Sequence, residues 1–248
     1  MTFIRQPFSI LLLFILGSTS SLCHADEQLS ATEILERADA IRFPSGDHHL
    51  KVSVIFHRPG EQDQTGEYEV LTKGHDRTLI ETLAPASGHG DSILMVNRDL
   101  WIFVKDVSQP LRISFQQRLL GDVSNGDLAR ANFVGDYTPK LSKQTDRFYV
   151  LDLTAKTPDV TYARVLLVIE KATFHPVKAQ FFAISGKLLK TGAYEDFKPI
   201  AGALRPTRLV FDNPLVKGQK STIIFHEITS EPIPDKYFTK DYLKKLKY

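Results

Sequence analysis

The sequence predicts a mainly β protein built on one large antiparallel sheet. Short segments of alternating apolar and polar residues recur along most of the chain, and clusters of Gly, Pro, Asn and Asp separate them. Only one long segment, beginning near residue 30, repeats its apolar residues with a helical period. About eleven strands joined by tight turns make an antiparallel sheet, and one that wide must curl or close to protect its edges and its apolar face.

Residues 1–25 have the layout of an export signal. Arg5 supplies a thin positive start, 8–16 (FSILLLFIL) a short apolar run, and Cys23-His24-Ala25 a small-residue end for cleavage before Asp26. The apolar run is about half of the ~20 residues needed to span a bilayer, which favours cleavage over a permanent anchor. Leu22 stands where an acylated Cys wants a small neighbour, which argues against lipidation of Cys23. Cleavage near Ala25 predicts a periplasmic protein of residues 26–248 with no Cys, stabilised by its own packed core as a single domain.

Ser30 caps the helix and Glu33, three residues on, completes a capping box. Ile34, Leu35, Ala38 and Ile41 then recur on one face until Pro44-Ser45-Gly46 stops the helix. The strands follow: 50–56, 66–73, 77–83, 92–96, 100–104 and 111–114, and after a break 147–153, 164–170, 176–184, 187–197, 207–211 and 221–228. Turn residues punctuate them at Pro59-Gly60, Lys73-Gly74, Asn97-Arg98-Asp99, Ser185-Gly186, Ala201-Gly202 and Lys217-Gly218. Some strands are apolar on both faces, as where Leu100, Ile102 and Val104 alternate with Trp101 and Phe103. Either both faces are covered by other elements or one of them lines a ligand cavity.

Between residues 115 and 137 the strand pattern fails. Gln116 to Leu120 reads as one helical turn ending at Gly121, and Ser124 or Asn125 as the cap of a short helix through Asp127, Leu128, Ala129 and Ala131. Such an interruption of a β domain reads as a lid, plug or binding loop.

Composition excludes several classes. With 42% hydrophobic and 24% charged residues the chain is neither disordered nor a multi-span membrane protein, and a net charge of +2 gives no argument for a nucleic-acid partner. The search for catalytic chemistry returns little. None of the eight His lies in a His-Glu-x-x-His spacing, no Gly-x-Ser-x-Gly elbow occurs, and no thiol remains after Ala25. Gly88-His89-Gly90 lacks the third Gly of a dinucleotide loop, and 122–127 lacks the ligands of a calcium loop. These observations predict a protein that is not an enzyme and carries neither cofactor nor metal.

Asn97-Arg98-Asp99-Leu100-Trp101-Ile102-Phe103-Val104, Pro110-Leu111-Arg112-Ile113-Ser114, then 118–128 (RLLGDVSNGDL) and Asp136-Tyr137 together resemble the outer-membrane lipoprotein-sorting protein family of the periplasmic lipoprotein-carrier superfamily. The resemblance runs over the whole mature chain, including 238–243. It implies an unclosed half-barrel whose strongly curved antiparallel sheet is covered by the N-terminal helix and a mid-chain helical lid, with acyl chains held on the concave side. On that basis Val54, Phe56, Leu94, Trp101, Phe103, Leu119, Leu120, Phe133, Leu167, Phe182, Leu209, Phe211 and Ile224 are candidates for the cavity wall, each equally well an ordinary core position. Arg98, Arg112 and Arg118 are candidates for contacts to a headgroup or to the lid.

The expected function is therefore a monomeric carrier of lipid or of lipoprotein acyl chains, moving cargo toward the outer membrane. The resemblance implies a resistance-nodulation-division type exporter as donor or partner. Five Lys in 235–248 suggest either transient contact with an anionic membrane surface or a solvated terminal helix. Two rival readings stand beside the carrier: a lipid-sensing regulator that binds a membrane signalling protein, and a periplasmic hydrolase.

Overall fold

The computed structural model describes residues 29–245 apart from Ala86, Asp106 and Ala131, so the export signal expected at 1–25 lies outside the described residues. The first helix, α1, spans Ala31–Arg42 with the expected capping box: the Ser30 backbone N–H donates to Glu33 at 2.8 Å, and the Glu33 N–H donates back to the Ser30 hydroxyl at 3.2 Å. Ile34, Leu35 and Ala38 are its buried face.

Two antiparallel meanders make the sheet. The first contains β1 (His48–His57), β2 (Gln64–Lys73), β3 (Arg77–Ala84), β4 (Ser92–Val96), β5 (Asp99–Phe103) and β6 (Leu111–Ile113). A short hairpin of β7 (Arg118–Leu120) and β8 (Val123–Ser124) leads into α2 (Asn125–Ala129). The second meander runs through β9 (Tyr137–Gln144), β10 (Phe148–Ala155), β11 (Arg164–Glu170), β12 (Pro176–Phe182), β13 (Leu188–Ile200), β14 (Ala203–Asp212) and β15 (Lys220–Thr229). β15 pairs with β1, which joins both meanders into one 13-stranded antiparallel sheet with β6 and β9 at its two edges.

One contact shows how far this sheet curls. Arg98, in the β4–β5 turn, donates to the Asp136 carboxylate at 3.0 Å and to the Thr157 hydroxyl at 2.9 Å, beside β9 and β10. β4 and β9 are ten strands apart in the sheet order. At about 4.8 Å per strand a flat sheet would hold them some ~48 Å apart. The edges do not pair, so the sheet is curved and unclosed.

Its concave face holds the main core. α1 packs there on β9, β12 and β14, and α2 packs on β3. Val54, Leu151, Leu153, Val165, Leu167, Ile169, Phe211 and Ile223 are fully buried beneath them. A 3-10 helix (Asp235–Phe238) and α3 (Lys240–Lys245) fold back over the opposite face of the first meander, where Ile233, Phe238 and Leu243 cover Leu79, Leu94 and Phe103. Both faces of β5 are thus covered.

Two expectations are corrected. The expected helical turn at 116–120 does not form: 118–120 are the strand β7, because Gly121 takes φ +57° and turns the chain into β8. Gly121 must also be small, since a Cβ there would lie 2.3 Å from the Phe56 ring. The strand β9 fell within the break in the pattern, because an edge strand with Pro139 and mostly polar residues carries little alternation.

Candidate functional site

The hairpin and α2 plug the concave side, and buried polar groups fix them there. Asp122 accepts from the Asn213 amide at 2.9 Å and the Gln219 amide at 2.7 Å, tying the hairpin to the β14–β15 turn. Asp127, on α2, accepts from Lys190 Nζ at 2.6 Å and from the Tyr162 hydroxyl at 2.8 Å. Lys190 also donates to the Asp122 carbonyl at 2.7 Å and lies 3.5 Å above the Phe211 ring. Burial pulls the Lys190 pKa down, opposed by the Asp127 charge. Burial pushes the Tyr162 phenol far up, so it stays a neutral donor.

The C-terminal end of α1 is fixed as closely. Asp39 pairs with Arg42 at 2.6 Å through one oxygen and accepts the backbone N–H groups of Phe133 and Val134 at 2.7 and 2.8 Å through the other. The Arg42 guanidinium stacks 3.8 Å above the Phe133 ring. Arg205, from β14, donates to the carbonyls of Ala40 and Ile41, which satisfies groups that a helix end leaves unpaired.

Between these anchors lies a cavity of about 220 Å³. Leu50, Val52, Val70, Leu128 and Ala129 form most of its buried interior, joined by the buried polar side chains of Asp39, His48 and Thr78, and Glu36, Ala40, Ser45 and His75 are the exposed residues at its mouth. A second space of about 30 Å³ adjoins it, lined by Phe133, Tyr162, Phe181, Leu209 and Phe211. Phe43 and Phe225, edge to face at 5.8 Å, line both.

The candidate wall residues divide by position. Phe133, Leu209 and Phe211 line the smaller space. Val54 and Leu167 are fully buried in the main core, Leu119 and Leu120 pack against it, and Phe56 lies under Gly121. Leu94, Trp101 and Phe103 belong to the cluster on the opposite face, beneath the C-terminal segment. Phe182 and Ile224 stand on the outer side of their strands, Phe182 under the Arg164 guanidinium, while Phe181, Ile223 and Phe225 point inward. Among the candidate arginines, Arg98 reaches across the curled sheet to Asp136, beside Arg130. Arg112 pairs with Asp99 at the β6 edge, and Arg118 is exposed 3.7 Å from Asp122.

The sheet residues of the larger cavity, Leu50, Val52 and Val70, alternate correctly in the sequence and are readable as inward-facing. The ionic anchors leave no such signal, since an isolated Lys or Asp reads as surface.

On the outer face the Ser53 hydroxyl lies 2.6 Å from the Glu67 carboxylate and 2.5 Å from His226 Nε2. In a nucleophilic triad the imidazole stands between serine and carboxylate; here the serine does. Among the described residues no group of three or more His, Cys, Asp or Glu is arranged to hold a metal ion, and no helix is long and apolar enough to cross a membrane.

A LolA superfamily protein from Nitrosomonas europaea shares 44% identity with this chain and superposes with a TM-score of 0.82, over 87% of this chain and 100% of the other. The chain belongs to the LolA superfamily. The fold recurs at lower identity. A DUF1329 family protein from Desulfovibrio piger matches at 22% identity and TM-score 0.74, covering 86% of this chain and 97% of its own. A domain assigned to outer membrane lipoprotein sorting, from Vibrio parahaemolyticus, matches at 18% and 0.70, covering 86% and 98%. A family model described as that of an uncharacterized protein matches residues 74–245. No curated protein sequence matches the chain. In this LolA-like fold the 118–128 segment is the anchored plug, and α1 with 132–134 closes the other side of the larger cavity.

Proposed function

We propose that this chain is a non-enzymatic periplasmic carrier that holds acyl chains of a lipid or lipoprotein on the concave side of the sheet and passes them toward the outer membrane. The observation that carries this is the cavity between α1, α2 and the sheet, with its mostly apolar interior and its mostly polar mouth. Its LolA superfamily membership and the export signal read from residues 1–25 support the same reading. An exporter of the resistance-nodulation-division type would be the donor.

The size of the cavity sets a condition on loading. Apolar cavities of about 150 Å³ take up a ligand the size of benzene. At about 220 Å³ the larger cavity takes the end of an acyl chain without rearrangement, and a full chain requires it to widen. α2 is held by the buried Lys190–Asp127 pair. The contact that yields is the one between α1 and the 132–134 segment, by parting the bonds that the Phe133 and Val134 backbone N–H groups donate to Asp39. A buried methylene contributes about 0.8 kcal/mol, so a sixteen-carbon chain gains on the order of 12 kcal/mol before that rearrangement is subtracted. The opposing cost keeps the cargo transferable.

Uptake of a fluorescent fatty acid tests this. Saturable binding is expected, weakened about tenfold or more by Val70→Phe, which fills the interior and leaves the mouth unchanged. Failure of the folded protein to bind the probe would remove the carrier reading.

A further inference from the structure

The charge of the chain is divided along the sheet. Residues 26–137 hold 11 Lys and Arg against 18 Asp and Glu, whereas residues 138–220, which run from the second residue of β9 through β14, hold 14 against 7. A net charge of +2 therefore conceals an acidic half and a basic half. In the basic half Lys140, Lys178, Lys187, Lys198 and Lys217 are exposed and form no ion pair among the described residues.

The same half carries the most exposed large aliphatic side chains described. Ile184, in the β12–β13 turn, is 89% exposed, and Leu215, in the β14–β15 turn, is 69% exposed with Val216 beside it. These turns are neighbours. β13 pairs with β14, and the pairing of Thr191 with Asp212 places both turns at one end of the sheet. Lys187 and Lys217 stand within three residues of the two tips. Single exposed apolar residues are ordinary, but two on adjacent turns, each beside a lysine, in the basic half of the molecule, are a pattern.

We propose that this end of the sheet docks on an anionic lipid surface, with Ile184 and Leu215 entering the headgroup boundary and the lysines engaging the lipid phosphates. Aliphatic tips bury apolar area there while lysine stems keep their ammonium groups at the charged surface. A neutral protein partner would give the lysines nothing to pair with. The lysine-rich C-terminal segment is less available for this role: Lys240 lies 3.7 Å over the Trp101 ring, and Asp235 is bonded to Lys73 and Arg77. Docking does not depend on what the cavity holds, so the outcome is separable from that of the acyl-probe experiment.

Co-sedimentation of the purified protein with vesicles of phosphatidylcholine, with and without phosphatidylglycerol, tests the proposal. Binding is expected only with phosphatidylglycerol and falls as salt is raised. Ile184→Ser with Leu215→Ser, and separately Lys187→Glu with Lys217→Glu, each weaken it roughly tenfold or more, while Lys236→Glu with Lys244→Glu leaves it unchanged. Circular dichroism and the urea midpoint confirm that the exposed-site variants fold. Equal binding to neutral vesicles, no binding to either, or tip variants that bind like the parent would overturn it.

Discussion

Lys190 Nζ lies 2.6 Å from the Asp127 carboxylate, with both side chains buried. That pair joins α2 to β13 across the concave face. Removing one partner leaves a buried charge, so Lys190→Met is expected to cost about 3–5 kcal/mol. Pairing it with Asp127→Leu recovers part of the loss, though the Asp127 bonds to Tyr162 and Ser124 go as well. Urea unfolding of the single and double variants measures both; a single variant as stable as the parent would mean that the pair anchors nothing.

Gly121→Ala is expected to destabilise by about 1–3 kcal/mol or more, from the left-handed backbone and from overpacking. Its φ is +57°, and its new methyl would fall 2.3 Å from the Phe56 ring and 2.7 Å from the Ser221 hydroxyl. The urea midpoint checks this, with Gly135→Ala, where nothing lies within 4 Å, as the comparison.

Leu94→Ala and Phe103→Ala separate fold from cargo. Both residues pack under Ile233, Phe238 and Leu243, on the face away from the cavity. Each variant should lose about 2–5 kcal/mol of stability and keep the affinity of the parent for a fatty-acid probe. A matched loss of affinity would place the cargo on that face instead.

The legibility of the fold and of the site differed for physical reasons. Alternation identified most strands, and Ser30 with Glu33 marked the helix start correctly. Where two adjacent residues are both apolar, as at Phe181-Phe182 and Ile223-Ile224, alternation cannot say which faces inward; the fit of Phe181 against Phe211 above Gly192 decides it. Trp101 and Phe103 read equally well as cavity wall or as core, because what covers them comes from a segment some 130 residues later. Lys190, Asp127, Asp39 and Arg42 were illegible as a site, since their meaning comes from partners far apart in the chain.

Acid should loosen the structure through His48. This cavity-lining side chain is buried, which lowers its pKa below 6.5; Arg205 and His75 act in the same direction, opposed by the Gly46 carbonyl and Asp47. In the unfolded chain the imidazole takes up a proton near its ordinary pKa, while the folded protein does so only at lower pH. The unfolded state therefore binds more protons in that window, and stability declines as pH falls through it. Urea midpoints between about pH 7 and pH 5 should drop less steeply for His48→Gln than for the parent.

The concave cavity is proposed to hold acyl chains. Native mass spectrometry of protein recovered gently from cells without detergent, followed by lipid extraction, is the decisive measurement. A bound acyl-bearing species is expected in the parent protein, and its loss in Val70→Phe. Lipid-free protein in both, which also takes up no added acyl probe, would contradict it.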